Sequence, residues 1–373
     1  MPLLILMSDI AMMKYFTADD IIGCFLNIIH KDVIKMNSKI LDLVNKQCKG
    51  KKHIKLTVGH ISNGQSVVKV YNETGEVENN DYIYEVGSIT KTFTASLLAR
   101  YIHEEKMSLD DYVNAYISGL EESRCFPTIK RLITHTSGYK RSLPYSQMGL
   151  KHLIKFLTNK DANDAFSKFL CMDEAAMKSI MNKVKLSDKD YKWQYSNFAI
   201  SLVGYAIGNV SGKGYQSTMN EYIKNDLGLQ NTFAGTDSNK NILGYSKRAP
   251  SGGNISWGDN LIRPAGDISS TAKDLLRYAE INYNDELPYL SMCHQKYADV
   301  SFPFNKMFDI DMALGWWINR KNNSVILHGG DTATFSAILI VDKEQKSAVV
   351  VLSNYPGSSA RLAKIAKPLL LHI

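Results

Sequence analysis

The spacing of apolar positions changes several times along the chain. From Ser38 to Lys46, Ile40, Leu41, Leu43 and Val44 recur at helical spacing, behind a serine suited to capping the first turn. From His53 to Ile61 the pattern alternates like a strand, Asn63-Gly64 follows as a two-residue turn, and Val67 to Tyr71 returns as a second strand. An Asn-Gly pair between apolar runs is a strong hairpin signal, because both central residues of such a turn need positive φ. Residues 20–36 look weakly helical. Between about 88 and 280 the period is mostly helical. Ser88 to Glu105 carries Phe93, Leu97, Leu98, Tyr101 and Ile102, and Pro127 to His135 is a short helix stopped by Ser137-Gly138. Phe198 to Val210 is a long apolar helix, and Ser269 to Glu280 turns Leu275, Leu276 and Tyr278 inward.

The last quarter returns to strand-like runs at Gly315 to Arg320, Ser324 to Leu327, Phe335 to Val341 and Ala348 to Leu352, with Ser359 to Leu371 as a closing helix. Two strands therefore open the unit, four close it, and helices fill the middle. The economical solution is an α+β fold: one antiparallel sheet built from both chain ends, flanked by terminal helices, with an inserted all-α half. Residues 1–36 are then an N-terminal extension and 37–373 one unit, its sheet part about 37–87 and 281–373 and its helical part about 88–280. The cleft between the halves is the expected ligand site.

Composition narrows the classes. Of 373 residues, 45% are hydrophobic and 22% charged, which excludes a disordered chain; 24 Gly and 9 Pro without a period exclude collagen-like arrays. The net charge is +7 and the one dense basic run is Lys46, Lys49, Lys51 and Lys52, read as a solvated helix end. No nucleic-acid-binding motif accompanies it, so no nucleic-acid partner is expected. The 5 cysteines are widely spaced with no C-x-x-C pair, and the 9 histidines form no H-E-x-x-H, so neither metal nor cofactor is signalled and free thiols in a reducing compartment are expected. No apolar run reaches the ~20 residues of a membrane helix. Met1 to Phe16 lacks a basic start and is interrupted by Asp9, a poor secretory signal that favours a cytoplasmic reading but leaves the location open.

No G-x-S-x-G elbow is present, but S-x-x-K occurs three times. On a helix, residues i and i+3 share a face, so an ammonium can sit beside a hydroxyl. Ser137-Gly-Tyr-Lys140 starts at a helix stop, and Ser270-Thr-Ala-Lys273 lies among residues suited to capping. Ser88-Ile-Thr-Lys91 follows the strand-like Tyr82 to Val86 and Gly87 and opens a strongly apolar helix, where N–H groups and the helix dipole favour negative charge. Tyr195-Ser-Asn197 precedes the Phe198 helix, while a second Tyr-x-Asn, Tyr112-Val-Asn114, lies in an acidic helical stretch. His328-Gly329-Gly330 ends a strand, its glycines leaving room for close backbone approach.

In this order these residues resemble the penicillin-recognising serine hydrolases, and within them the class C β-lactamase-like group with its DD-peptidase, D-amino-acid peptidase and esterase relatives. Tyr84 to Lys91, Leu132 to Gly138 and Pro264 to Asp274 are similar to the family's segments around the same motifs, and the resemblance spans roughly 37 to 371. It implies that Ser88 is the nucleophile of an acyl-enzyme and that Lys91 or Tyr195 takes its proton, with the choice between them left open. It implies that Tyr195 activates the deacylating water and that Asn197 bonds Lys91 and a substrate amide. The oxyanion hole would be the backbone N–H groups of Ser88 and of Asp331, the residue after Gly330. His328 stands where many β-lactamases have lysine. A histidine is mostly neutral at pH 7, so a weaker grip on penicillin carboxylates is expected, with D-amino-acid peptides or esters as substrates and β-lactams as possible ones. The rival is a sensor or cell-wall-peptide binding protein that acylates without turnover. Of the remaining residues, His135 is read as holding its turn, Arg263 as a surface ion pair, and one of Trp316 and Trp317 as a wall of the cleft.

Overall fold

Strand pairing joins the two ends of the chain. In this computed structural model, which describes residues 38–62, 64–140, 172–300 and 309–370, β1 (Leu56–Ser62) lies antiparallel between β2 (Gln65–Asn72) and β13 (Ser347–Ser353). The sheet continues through β12 (Ser336–Asp342), β11 (Val325–Asp331), β10 (Trp317–Asn319) and β9 (Ile310–Met312), with β3 (Gly75–Val77) on the other edge, making eight strands. The expected weak helix at 20–36, Asn63 of the turn, and Cys24 and Cys171 fall outside the described residues.

Both faces of the sheet are covered, so β1, β12 and β13 are buried at every position, β1 included despite its alternating pattern. One face packs on the terminal helices α1 (Ser38–Cys48) and α8 (Ser359–Leu370) through Ile40, Val44, Leu362 and Ala366. The other packs on the inserted half, where α2 (Thr90–His103), α5 (Asn197–Ser211) and α7 (Ala272–Tyr283) share a core with Ile326, Leu339 and Val350.

The inserted half is not all helix. A small sheet of β5 (Phe233–Ala234), β8 (Ile268–Ser270) and β4 (Tyr84–Glu85) and a hairpin of β6 (Gly244–Ser246) and β7 (Ala249–Gly253) interrupt it. Ser269 and Ser270, read as helix caps, belong to β8. Thr271 alone is the cap of α7, its Oγ1 accepting the Asp274 N–H at 3.1 Å. Tyr112-Val-Asn114 runs into a single 3₁₀ turn (Val113–Ala115).

Candidate active site

Glycine chemistry sets the entry to the site. Val86 donates its N–H to the Ile268 carbonyl at 3.0 Å, tying the chain to β8. Gly87 then turns with φ +53°, a conformation only glycine adopts freely, into a 3₁₀ turn (Gly87–Ile89) that runs directly into α2. Ser88 sits in that turn, partly open to solvent, and α2 has no side-chain N-cap bond, so capping does not explain the serine.

Lys91, on the first turn of α2, is fully buried. Its Nζ donates to Ser88 Oγ at 2.9 Å and to the Ala265 carbonyl at 2.6 Å. The Tyr195 hydroxyl donates to the same Ser88 Oγ at 2.7 Å, and Lys91 Nζ lies 4.8 Å from the centre of the Tyr195 ring. Tyr195 is held just ahead of α5, whose N-cap Ser196 accepts the Ala199 N–H at 3.1 Å. Two groups able to exchange a proton thus converge on one hydroxyl. A neutral amine or a phenolate in either place would take the Ser88 proton and later return it to a leaving group.

The end of β11 closes the site. A Cβ on Gly330 would fall 1.8 Å from the Val86 carbonyl oxygen and 2.9 Å from the Ser88 nitrogen, and one on Gly87 would fall 2.8 Å from the Asp331 nitrogen. The backbone at Val86–Ser88 and that at Gly330–Asp331 therefore pass close to one another, which is possible because Gly87 and Gly330 lack side chains. The Asp331 carboxylate turns away, accepting the Ser359 N–H at 2.9 Å and its hydroxyl at 3.0 Å at the start of α8.

Two expectations need correction. Asn197 stands on the first turn of α5, but its Oδ1 is buried without a hydrogen-bond partner and does not bond Lys91. The lysine reaches the Ala265 carbonyl instead. His328 lies within β11, not past its end, and its ring is fully buried. Its Nδ1 is 2.7 Å from the Gly329 carbonyl oxygen, and the ring stacks on Trp317 at 4.4 Å. Burial, then the neighbouring Lys91 charge, pushes its pKa down to about 3, so the ring is neutral at pH 7 as anticipated.

A beta-lactamase family model matches residues 48–371. The chain belongs to the beta-lactamase family. Protein flp of Staphylococcus aureus (strain MW2) is 23% identical over 284 residues, covering 73% of this chain and 52% of that protein. A beta-lactamase of Providencia stuartii is 27% identical over 206 residues, covering 54% of this chain and 47% of that protein. The chain spans about half the length of the curated relatives it matches. Among solved structures, a class C beta-lactamase mutant superposes with TM-score 0.71 at 19% identity over 90% of this chain and 97% of that one. A beta-lactamase/D-alanine carboxypeptidase from Pseudomonas syringae superposes with TM-score 0.71 at 17% identity, over 89% and 98%. These likenesses establish a class C beta-lactamase fold. Among the described residues no cluster of three or more His, Cys, Asp or Glu could hold a metal, and no helix is long and apolar enough to cross a membrane.

The other sequence motifs lie apart from this beta-lactamase-family site. Ser270 bonds Thr232 at 2.8 Å inside the small sheet, and Lys273 and Lys140 are exposed. Arg263 makes the expected ion pair, with Asp267 at 2.8 Å, but in a buried setting beside Ala265. Trp316 and Trp317 are both buried. The Ala265 carbonyl was not anticipated as a partner of Lys91; the Pro264 to Asp274 resemblance was its only signal.

Glu85, three residues before Ser88, was marked by no sequence motif either. Its Oε1 accepts the Ile255 N–H at 2.7 Å, and burial pushes its pKa up from 4.5 to about 7. Between those values the folded carboxyl keeps a proton that the unfolded chain has released, so stability falls as pH rises through the window. Glu85→Gln keeps the acceptor and removes the titration. Its stability relative to wild type is expected to improve by about 2–3 kcal/mol between pH 5 and pH 8. Urea denaturation at the two pH values measures this, and an unchanged difference would mean Glu85 does not titrate there.

Proposed function

We propose that this chain hydrolyses ester or amide bonds through an acyl-enzyme on Ser88. Ser88 Oγ attacks the carbonyl carbon while its proton passes to the Lys91–Tyr195 pair and on to the leaving alcohol or amine. The N–H groups of Ser88 and Asp331 hold the carbonyl oxygen as it gains charge. Tyr195 then activates the water that releases the acid. The observation that carries this reading is the meeting of Lys91 Nζ and the Tyr195 hydroxyl on Ser88 Oγ, at 2.9 and 2.7 Å.

Peptides containing D-residues, or small esters, are the substrates this reading favours, with β-lactams as slower ones. A neutral, buried His328 offers no permanent charge to a β-lactam carboxylate. Intact-mass spectrometry after brief exposure to benzylpenicillin, a D-Ala-D-Ala peptide and p-nitrophenyl acetate tests it. A transient adduct with the ester or peptide, absent in Ser88→Ala, is expected. An adduct that persists in Ser88→Ala moves the nucleophile elsewhere, and one that never decays makes the protein a sensor. Tyr195→Phe is expected to lower kcat for the ester by about 10²–10⁴-fold with KM nearly unchanged, since the lost group moves a proton and does not bind the ground state. Wild-type turnover in that variant would remove Tyr195 from proton transfer.

A further inference from the structure

The turn at residues 134–137 lies beside the segment that carries Tyr195, and the two are bonded repeatedly. Tyr191 N–H donates to the Thr136 carbonyl at 2.9 Å, and Gln194 N–H donates to the His135 carbonyl at 2.8 Å. The side chain of His135 adds a third tie, its Nδ1 accepting the Ser196 N–H at 3.2 Å. Its ring rests on the Tyr195 ring with centroids 4.7 Å apart, and Trp193 meets it edge-on at 6.0 Å. His135 is 1% exposed and has φ 61°, a strained conformation for a side chain of this size. A turn-holding role alone would be met by glycine or asparagine at that φ, without a buried imidazole against the phenol.

We propose that His135 is a positioning residue for Tyr195, its neutral ring fixing where the phenol meets Ser88. This rests on the hydrolase reading above. Because Nδ1 accepts a backbone N–H, the proton must sit on Nε2. Burial first, then the charge of Lys91 and the neighbouring His328, hold the ring well below its ordinary pKa. Protonation would place a proton on Nδ1 facing the Ser196 N–H and break the tie, so the ring must stay neutral to act. His328 is its complement. Its Nδ1 faces a carbonyl and must carry the proton, which leaves Nε2 as an acceptor. The Nε2 atoms of both rings are buried without partners, one a donor and the other an acceptor. The two rings thus present opposite polarity, one on the turn that holds the Tyr195 segment and the other on β11, which brings Asp331 to the nucleophile.

Two variants compatible with positive φ separate positioning from turn geometry. His135→Gly removes both ring and acceptor; His135→Asn restores an acceptor. In folded protein, His135→Gly is expected to slow labelling of Ser88 by a fluorophosphonate, and kcat for p-nitrophenyl acetate, by about 100-fold, with KM within about threefold. His135→Asn is expected to regain about tenfold of that loss. Wild-type rates in His135→Gly, equal losses in both variants, or a loss confined to KM would overturn the proposal. If neither variant folds, the ¹⁵N imidazole spectrum of wild type decides: an Nε2–H neutral ring between pH 6 and 8 supports it, and an Nδ1–H tautomer or an imidazolium overturns it. Failure of wild type itself to be labelled, or labelling that survives Ser88→Ala, would instead sink the hydrolase reading.

Discussion

Lys91→Met is expected to slow acylation of Ser88 by at least about 10⁴-fold, nearly as severely as loss of the serine itself, while the protein stays folded. Methionine matches the length and apolar character of the lysine stem, so the fully buried position remains filled. What disappears is the amine 2.9 Å from Ser88 Oγ, together with a charge held in low dielectric. Replacing a buried charge by a hydrophobe is often neutral or stabilising, and the opposing cost is the Ala265 carbonyl left without its 2.6 Å donor, about 1–3 kcal/mol. Fluorophosphonate labelling followed by stopped flow, beside a thermal melt, separates the two effects. A rate within tenfold of wild type would take Lys91 out of the proton path. The same variant carries an independent readout: His135 and His328 both have pKa values lowered partly by the Lys91 charge, so both should rise when it is removed.

Gly330→Ala is expected to cost about 3 kcal/mol and to lower activity by about 10²–10³-fold in whatever fraction remains folded. The new methyl group would lie 1.8 Å from the Val86 carbonyl oxygen, far inside van der Waals contact, and the obstructing atom is backbone. Relief requires β11 to draw back from the Gly87–Ile89 turn, which parts the Asp331 N–H from the Ser88 N–H. Gly357→Ala is the control, because the nearest atom to its Cβ is the flexible end of Gln47 at 3.0 Å. If both variants melt and react alike, the Gly330 contact does not shape the site.

The main sheet was legible because its long strands β1, β2, β11, β12 and β13 are runs of apolar and β-branched residues with turn signals between them. β3 and β9 were not, being three-residue edge strands too short to establish a period. β11 was read as ending at Leu327 because His328-Gly329-Gly330 has neither strand propensity nor apolar character. Pairing with β12 carries it on to Asp331, through Gly329 opposite Ile338 and Gly330 opposite Ala337. The helical half was over-read for the complementary reason: β5 and β8 are two and three residues long and exist only by pairing with each other and with β4, which the strand-like Tyr82 to Val86 had signalled.

The site divides along the same line. Ser88 and Lys91 meet because they lie three positions apart at the start of a helix, and chain geometry alone brings such residues together. Tyr195 lies 107 positions from Ser88 and the Ala265 carbonyl 174 from Lys91, so packing between elements had to place them. Packing also sank His328 beneath Trp317 and left Asn197 Oδ1 without the lysine. Residue order and spacing therefore determined the fold and the meeting of Ser88 with Lys91; the tertiary structure decided which other groups surround that pair. Helical and strand periods are properties of a short stretch of chain, whereas burial, charge and the choice of hydrogen-bond partner depend on what the rest of the molecule brings alongside.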